Sequence, residues 1–355
     1  MSLKAKIPAT VITGFLGAGK TTLIRHLLAN AQGKKLALVI NEFGELGIDR
    51  ELLLGCGIAS CAEDDVVELA NGCICCTVAD DFIPTMENLL SRPVPPDHIV
   101  IETSGLALPK PLLKAFAWPE VADRVTVDGV IAVVDAAAVA DNHFNDPRFW
   151  TPGGALPEHD LPLAEVFGDQ LACADLVILN KTDLLDAARL DAAERSVRAC
   201  LRRETKLVAT RQGAADPAVV LGLEAGAEHD VGARRSHHDG LAEHDHDDFE
   251  SVVIALPPVA DRQAIERALA AAGAEPRVLR IKGFVAVAGK ELRLAIQGVG
   301  PRLSSYFDRP WKAGEKRAGA VVVIGERGFD RARVERLIIK AAGAAEILAA
   351  ATGGA

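Results

Sequence analysis

The chain has no excess of basic residues. Lys and Arg number 39 against 49 Asp and Glu, a net charge of −10, and a chain so balanced is a poor match for nucleic acid. It has no apolar run near the roughly 18 residues that span a bilayer, and Met1 to Ala9 lacks the apolar stretch of a secretory signal. No basic patch or amphipathic segment argues for a membrane partner, so the expected location is the cytosol. Seven cysteines, an odd number without an export signal, do not form a disulfide framework and are read as thiols.

Composition permits a substantial core: 49% of the 355 residues are apolar and 25% charged, enough for two domains. From Ile7 to about Gly222 short apolar runs alternate with helical patterns, the signature of a mostly parallel sheet covered by helices, and the fold class is α/β. Strands are expected at Ala9–Thr13, Leu36–Ile40, Ile99–Glu102, Val127–Val134, Leu176–Asn180 and Leu207–Thr210. Asp141 to Pro162 reads as a surface insertion. Residues 224–250 lack an apolar period and are rich in His, Asp, Glu and Gly, so they are expected to form a linker. Beyond it, apolar stretches at Val252–Leu256, Phe284–Ala288, Leu292–Ile296 and Val321–Ile324, with helices at Arg262–Ala271 and near Arg331–Ala342, predict a smaller C-terminal α+β domain over 251–343. The Ala/Gly tail, 344–355, is expected to fray.

Chemistry is expected beyond the carboxyl ends of the parallel strands. Gly14-Phe15-Leu16-Gly17-Ala18-Gly19-Lys20-Thr21 follows the first strand and opens the helical pattern Thr22–Asn30, which matches a P-loop in sequence and in setting. Backbone amides over Gly14, Gly17, Ala18, Gly19 and Thr22 would wrap phosphate oxygens, Lys20 would neutralise the β and γ phosphates, and the Thr21 hydroxyl would ligate Mg²⁺. Asn180-Lys181-Thr182-Asp183 ends a later strand in the form of a guanine-specificity motif. The Asp183 carboxylate can accept from guanine N1 and N2, the Lys181 stem would cover the ring, and Asn180 would brace the loop. Such a string also caps helices, but beside a P-loop it favours GTP over ATP. Glu102-Thr103-Ser104-Gly105 stands where P-loop enzymes keep a Mg²⁺ acid and a γ-phosphate glycine, with Glu in place of the usual Asp. The expected catalytic set is Lys20, Thr21 and Glu102, with Gly105 contacting the nucleotide. Asn41 to Gly47 occupies the place of a nucleotide-sensing switch.

Cys73, Cys75 and Cys76, between that switch and Glu102, bring three thiols within four residues. They can meet one metal ion with a ligand position to spare, a site better suited to exchange than to permanent structure. A redox pair or packed thiols are the other readings. Cys56 and Cys61 are more simply incidental thiols, and Cys173 and Cys200 lie in helical patterns and read as core. Five of nine histidines (His229, His237, His238, His244, His246) fall within 18 residues of the linker, where they either gather metal loosely or are merely solvated. Tyr306, Phe307 and Trp311 are expected to pack the C-terminal core.

Together, GFLGAGKTT from Gly14, NEFGELGID from Asn41, GCICC from Gly72, ETSGLA from Glu102 and NKTD from Asn180, all in family order, resemble the CobW family of GTP-dependent metallochaperones. RIKGF from Arg280 and YFDRPW from Tyr306 extend the likeness to almost the whole chain. Within the family, GCGIASCAEDD and CTVADDFIPTMENLL look most like the cobalamin-biosynthesis branch. The resemblance implies a GTPase domain over 1–223 that loads Co²⁺ on Cys73, Cys75 and Cys76 while holding Mg·GTP, and releases it after hydrolysis to an acceptor such as a cobaltochelatase. Three other readings stay open: a Zn²⁺ allocator of the same family, a kinase or ATPase with a structural zinc, and a signalling GTPase with redox-sensing cysteines. Thiolates do not themselves select cobalt, which lies below zinc in the usual affinity order. Gating by nucleotide, with reciprocal coupling of the two affinities, would have to help.

Overall fold

The computed structural model describes residues 6–31, 33–41, 66–68, 82–142, 144, 162–234, 249–312 and 315–343. These form two compact units, one from residues up to 234 and one from 249 onward. In the first, seven strands run β1 Ile7–Thr13, β2 Leu36–Ile40, β3 Val66–Glu68, β4 His98–Glu102, β5 Val125–Asp135, β6 Leu176–Asn180 and β7 Lys206–Ala209. The helices among them are α1 Lys20–Ala29, α2 Ile83–Ser91, α3 Pro109–Ala115, α4 Pro119–Ala122, α5 Ala136–Ala140, α6 Pro162–Cys173, α7 Ala187–Cys200 and α8 Pro217–Val220.

All strand pairings in this sheet are parallel, in the order β3-β2-β4-β1-β5-β6-β7. Sequences such as LALVI (β2) and LVILN (β6) are buried along their whole length, because helices cover both faces of a parallel sheet. The central strand β1 has β4 on one side and β5 on the other. The chain leaves it in opposite directions, which opens a crevice at its carboxyl end.

At the opposite end of the sheet the β1–β5 register slips between Ala9 and Thr10, leaving Asp128 as the extra residue. Its carboxylate accepts from Gly222 N at 2.7 Å, Glu224 N at 3.0 Å and the Thr10 hydroxyl at 3.3 Å. His98 Nε2 lies 2.7 Å from the same hydroxyl. Burial, against the pull of Asp128, lowers the imidazole pKa to about 4, so the ring is neutral near pH 7.

The linker does not begin at Glu224. Residues 224–234 pack on the first unit through two apolar side chains, Ala227 and Val231, and otherwise through polar contacts, too few apolar positions to mark a hydrophobic period. Glu228 accepts from the Thr126 hydroxyl (2.7 Å) and Val127 N (2.9 Å). Arg234, fully buried, binds Asp175 at 2.9 Å and Asp230 at 2.6 Å, and donates to the Cys173 carbonyl. Lys110 Nζ reaches the Arg234 carbonyl at 2.6 Å. Removing the guanidinium leaves Asp175 with Arg202 at 2.7 Å and Val130 N at 2.9 Å but deletes the buried donors to Asp230 and the Cys173 carbonyl, so Arg234→Met is expected to destabilise this unit by about 2–3 kcal/mol. Urea unfolding followed by tryptophan fluorescence measures it; a loss below about 1 kcal/mol would mean that the cluster is solvated and the strap loosely held.

The second unit is a five-stranded antiparallel sheet, order β11-β10-β9-β12-β8, made of β8 Phe249–Leu256, β9 Val278–Val285, β10 Leu292–Val299, β11 Arg302–Pro310 and β12 Gly319–Glu326. Helices α9 Arg262–Gly273 and α10 Arg331–Ala341 bury Ile265, Leu269, Val334 and Ile338 against Ile281, Leu294, Ile296, Val321 and Val323. Asp261 caps α9 by accepting from Gln263 N at 2.8 Å, and Asp330 caps α10 through Arg333 N at 2.9 Å.

Two expectations are corrected here. Of the stretch Phe284–Ala288, Phe284 and Val285 end a strand that starts at Val278, whose first half is interrupted by Arg280 and Lys282, and Ala286–Ala288 lie beyond it. Tyr306 is 40% exposed on the edge strand β11, which the apolar pattern missed, while Phe307 packs on the second core.

Candidate functional site

The loop after β1 is shaped by its glycines. Gly14 has φ +135° and a Cβ there would sit 2.2 Å from the Val133 carbonyl oxygen; Gly19 has φ +108° and a Cβ there would sit 2.3 Å from Asn180 Nδ2. Gly19 hands the chain to α1, so the first amides of that helix point at the loop mouth. Lys20 is 5% exposed and its Nζ donates to the carbonyls of Gly14 (2.7 Å) and Phe15 (3.4 Å). Thr21 follows on the first turn of α1 and its hydroxyl donates to Glu102 Oε1 at 3.1 Å. Glu102, at the end of β4, is buried, and its carbonyl accepts from Asn41 N at 2.9 Å. The longer glutamate side chain thus reaches the threonine directly.

Gly105 closes on the same loop: a Cβ there would lie 2.7 Å from Leu16 N. Gln170 on α6 donates to the Gly105 and Ala107 carbonyls, both at 3.2 Å, and ties this turn to a helix 65 positions away. The hydroxyls of Thr13 and Thr103, at the carboxyl ends of β1 and β4, are buried with no hydrogen-bond partner among the described residues.

The Asn180–Asp183 segment meets the loop from β6. Asn180 is 1% exposed, its amide donates to the Ala18 carbonyl at 3.0 Å, and its oxygen accepts from Gly213 N (2.9 Å) and the Thr210 hydroxyl (3.3 Å). Lys181 has φ +61° and its Nζ donates to the Gly17 carbonyl at 2.7 Å and to Asp135 Oδ2 at 2.8 Å. Asp183 opens outward, exposed, in a 3₁₀ turn over Thr182–Leu184.

Lys20, Thr21, Glu102, Gly105, Asn180 and Lys181 therefore converge on one loop. Asp135, Gln170 and Gly213 join them without having been singled out in the sequence. An acid at the end of an expected strand, as at Glu102, was the available signal, and Asp135 is the one that end-of-strand reasoning should have added.

Cys73, Cys75, Cys76, Cys56, Cys61, the switch beyond Asn41 and four of the linker histidines (His237, His238, His244, His246) lie outside the described residues. His229 is largely exposed. Among the described residues no group of three or more His, Cys, Asp or Glu is placed to hold a metal ion. Cys173 and Cys200 are poor thiolates: burial raises both to about 12, with Asp169 adding to the effect at Cys173. Within the same limits, no helix is long and apolar enough to cross a membrane.

Residues 8–208 match the family model described as the CobW/HypB/UreG nucleotide-binding domain, and residues 249–342 match the cobalamin synthesis protein CobW C-terminal domain. The chain belongs to the CobW family. It is 52% identical over 343 residues to a zinc chaperone CobW of Sinorhizobium sp, covering 94% of this chain and 97% of that one. A zinc chaperone CobW of Pseudomonas aeruginosa is 47% identical over 352 residues, with 94% and 91% covered. The zinc chaperone YjiA of Escherichia coli is 32% identical over 328 residues, with 90% and 94% covered. The CobW-family chain described here is accordingly a P-loop GTPase.

Proposed function

We propose that this CobW-family GTPase is a zinc metallochaperone, carrying Zn²⁺ on Cys73, Cys75 and Cys76 in a GTP-dependent manner and passing it to a zinc-requiring acceptor. The observation that carries this is the full-length likeness to a relative named a zinc chaperone, 52% identical across 94% of the chain. The three thiols stand in sequence between the switch and Glu102, where a change in nucleotide can reach them. Cobalt and a cobaltochelatase acceptor were the sequence's first expectation, and the names of the relatives turn the reading to zinc. Chemistry agrees: a thiolate cluster binds Zn²⁺ more tightly than Co²⁺ unless geometry or supply opposes it.

In this reading the nucleotide sits on the Gly14–Thr22 loop, with amides at the start of α1 and Lys20 facing its phosphates. Thr21 and Glu102, two hard-oxygen groups 3.1 Å apart, fit Mg²⁺ beside phosphate oxygens and water. That ion, when bound, offsets negative charge on the β and γ phosphates. Gly105, held against Leu16 and by Gln170, is placed to sense whether a γ-phosphate is present. Asp183 and the Lys181 stem take the guanine, and Asn180 ties their loop to Ala18.

The test is an anaerobic titration of the reduced protein with Zn²⁺ and with Co²⁺ against a competing chelator, in a GTP analogue, in GDP and without nucleotide. The expected result is zinc bound more tightly than cobalt, and at least tenfold more tightly with the GTP analogue than with GDP. Equal affinity in all three states rejects the gated carrier. Tighter cobalt than zinc in the GTP state returns the protein to the cobalt reading.

A further inference from the structure

We propose that Asp135 is a positioning residue for guanine-nucleotide binding, acting through Lys181. The inference rests on reading Asn180–Asp183 as the base-recognition loop. Asp135 ends β5 and pairs in register with Asn180, the end of β6. Its side chain is 4% exposed and its two oxygens do different work. Oδ1 accepts from Ala137 N at 3.0 Å and Ala138 N at 3.1 Å, capping α5. Oδ2 accepts from Lys181 Nζ at 2.8 Å.

Lys181 occupies the left-handed region, which a residue with a Cβ takes only when its surroundings demand it. Here the backbone bonds of the turn, Thr182 N to the Thr210 carbonyl at 3.3 Å and Leu184 N to the Lys181 carbonyl at 3.1 Å, hold it, and the side chain is anchored at its far end. The ammonium is divided between the Gly17 carbonyl of the phosphate loop and the Asp135 carboxylate, so the four-carbon stem is stretched across the gap between them. A stem held in that way is a flat apolar strip on which a purine can lie. Gly17 alone offers a neutral acceptor, and a lysine this accessible, 26% exposed, has water as an alternative partner. The carboxylate supplies the charge that keeps the ammonium in the site. Helix cap and lysine anchor share one carboxylate, so the end of β5, the phosphate loop and the base loop are joined at a point. The two partners are 46 residues apart, which is why no motif contains the pair.

Asp135→Asn separates the two roles, since the amide oxygen can still cap α5 while the charge on Lys181's partner is gone. GDP affinity, measured by displacement of a fluorescent guanine nucleotide, is expected to fall about tenfold. KM for GTP should rise by a similar factor with kcat within twofold, and the melting temperature should stay within a few degrees. In a Lys181→Met background the same substitution should add nothing, because the effect runs through the lysine. A wild-type GDP affinity in Asp135→Asn overturns the proposal, and so does full additivity with Lys181→Met. Asp183→Asn is measured alongside. If guanine preference survives that change, the base-loop reading falls; if it is lost while Asp135→Asn binds GDP normally, the proposal about Asp135 alone falls.

Discussion

Asp183→Asn is expected to turn the protein from GTP to xanthosine triphosphate, lowering kcat/KM for GTP about a hundredfold or more and raising it for the xanthine nucleotide. Guanine presents N1–H and a 2-amino group side by side, two donors that one carboxylate accepts together. An asparagine meets them with one acceptor and one donor, so an amide hydrogen faces a guanine hydrogen. Xanthine replaces the 2-amino donor with an oxygen and restores the match. The position of Asp183 suits this exchange, being exposed in the middle of a 3₁₀ turn while its neighbours Asn180 and Thr182 are buried and bonded to the rest of the domain. The substitution should therefore leave the fold and the phosphate loop intact. Steady-state rates with the two triphosphates decide it: unchanged use of GTP would remove Asp183 from the base site.

The parts of this site that were legible in the sequence are those whose chemistry is carried by consecutive residues. Gly14 to Thr21 and Asn180 to Asp183 each form one turn, so their spacing along the chain is their geometry. Lys20, Thr21 and Glu102 meet because two adjacent parallel strands both end at the same crevice, and that follows from the alternation of strands and helices. Gln170 and Gly213 were not legible, for they act through partners 33 to 65 positions away and belong to no short pattern, whereas Asp135 directly follows an expected strand and was overlooked.

The same distinction runs through the fold. The strands LALVI and LVILN have the bounds the sequence suggested, since burial on both faces leaves an unbroken apolar run. β11, RLSSYFDRP, is an edge strand with polar residues on both sides of its pleat, and it gave no run at all. Residues 224–234 looked like linker because carboxylates and a buried guanidinium, with only Ala227 and Val231 as apolar contacts, hold them down.

Replacing Lys20 should have the largest effect on the chemical step. Lys20→Met is expected to lower kcat for GTP hydrolysis by about 10²–10³, the usual consequence of deleting one fixed donor aimed at developing charge. Phosphoryl transfer leaves the protein little to do except hold the phosphates and stabilise the charge that spreads over the γ oxygens. Lys20 is well prepared for that work. It is 5% exposed, its ammonium lies against the Gly14 and Phe15 carbonyls, and it stands at the start of α1, whose amides add to the same field. Methionine keeps the length and the packing of the stem but neither the charge nor the donors. The loss of activity should not come with a comparable loss of stability, because burying an ammonium is itself costly and a thioether is not. Single-turnover hydrolysis and thermal unfolding of the same preparation separate these effects. A variant that melts far below the wild type would mean that Lys20 serves mainly to hold the loop together, and a variant that hydrolyses GTP at the wild-type rate would remove it from the reaction altogether.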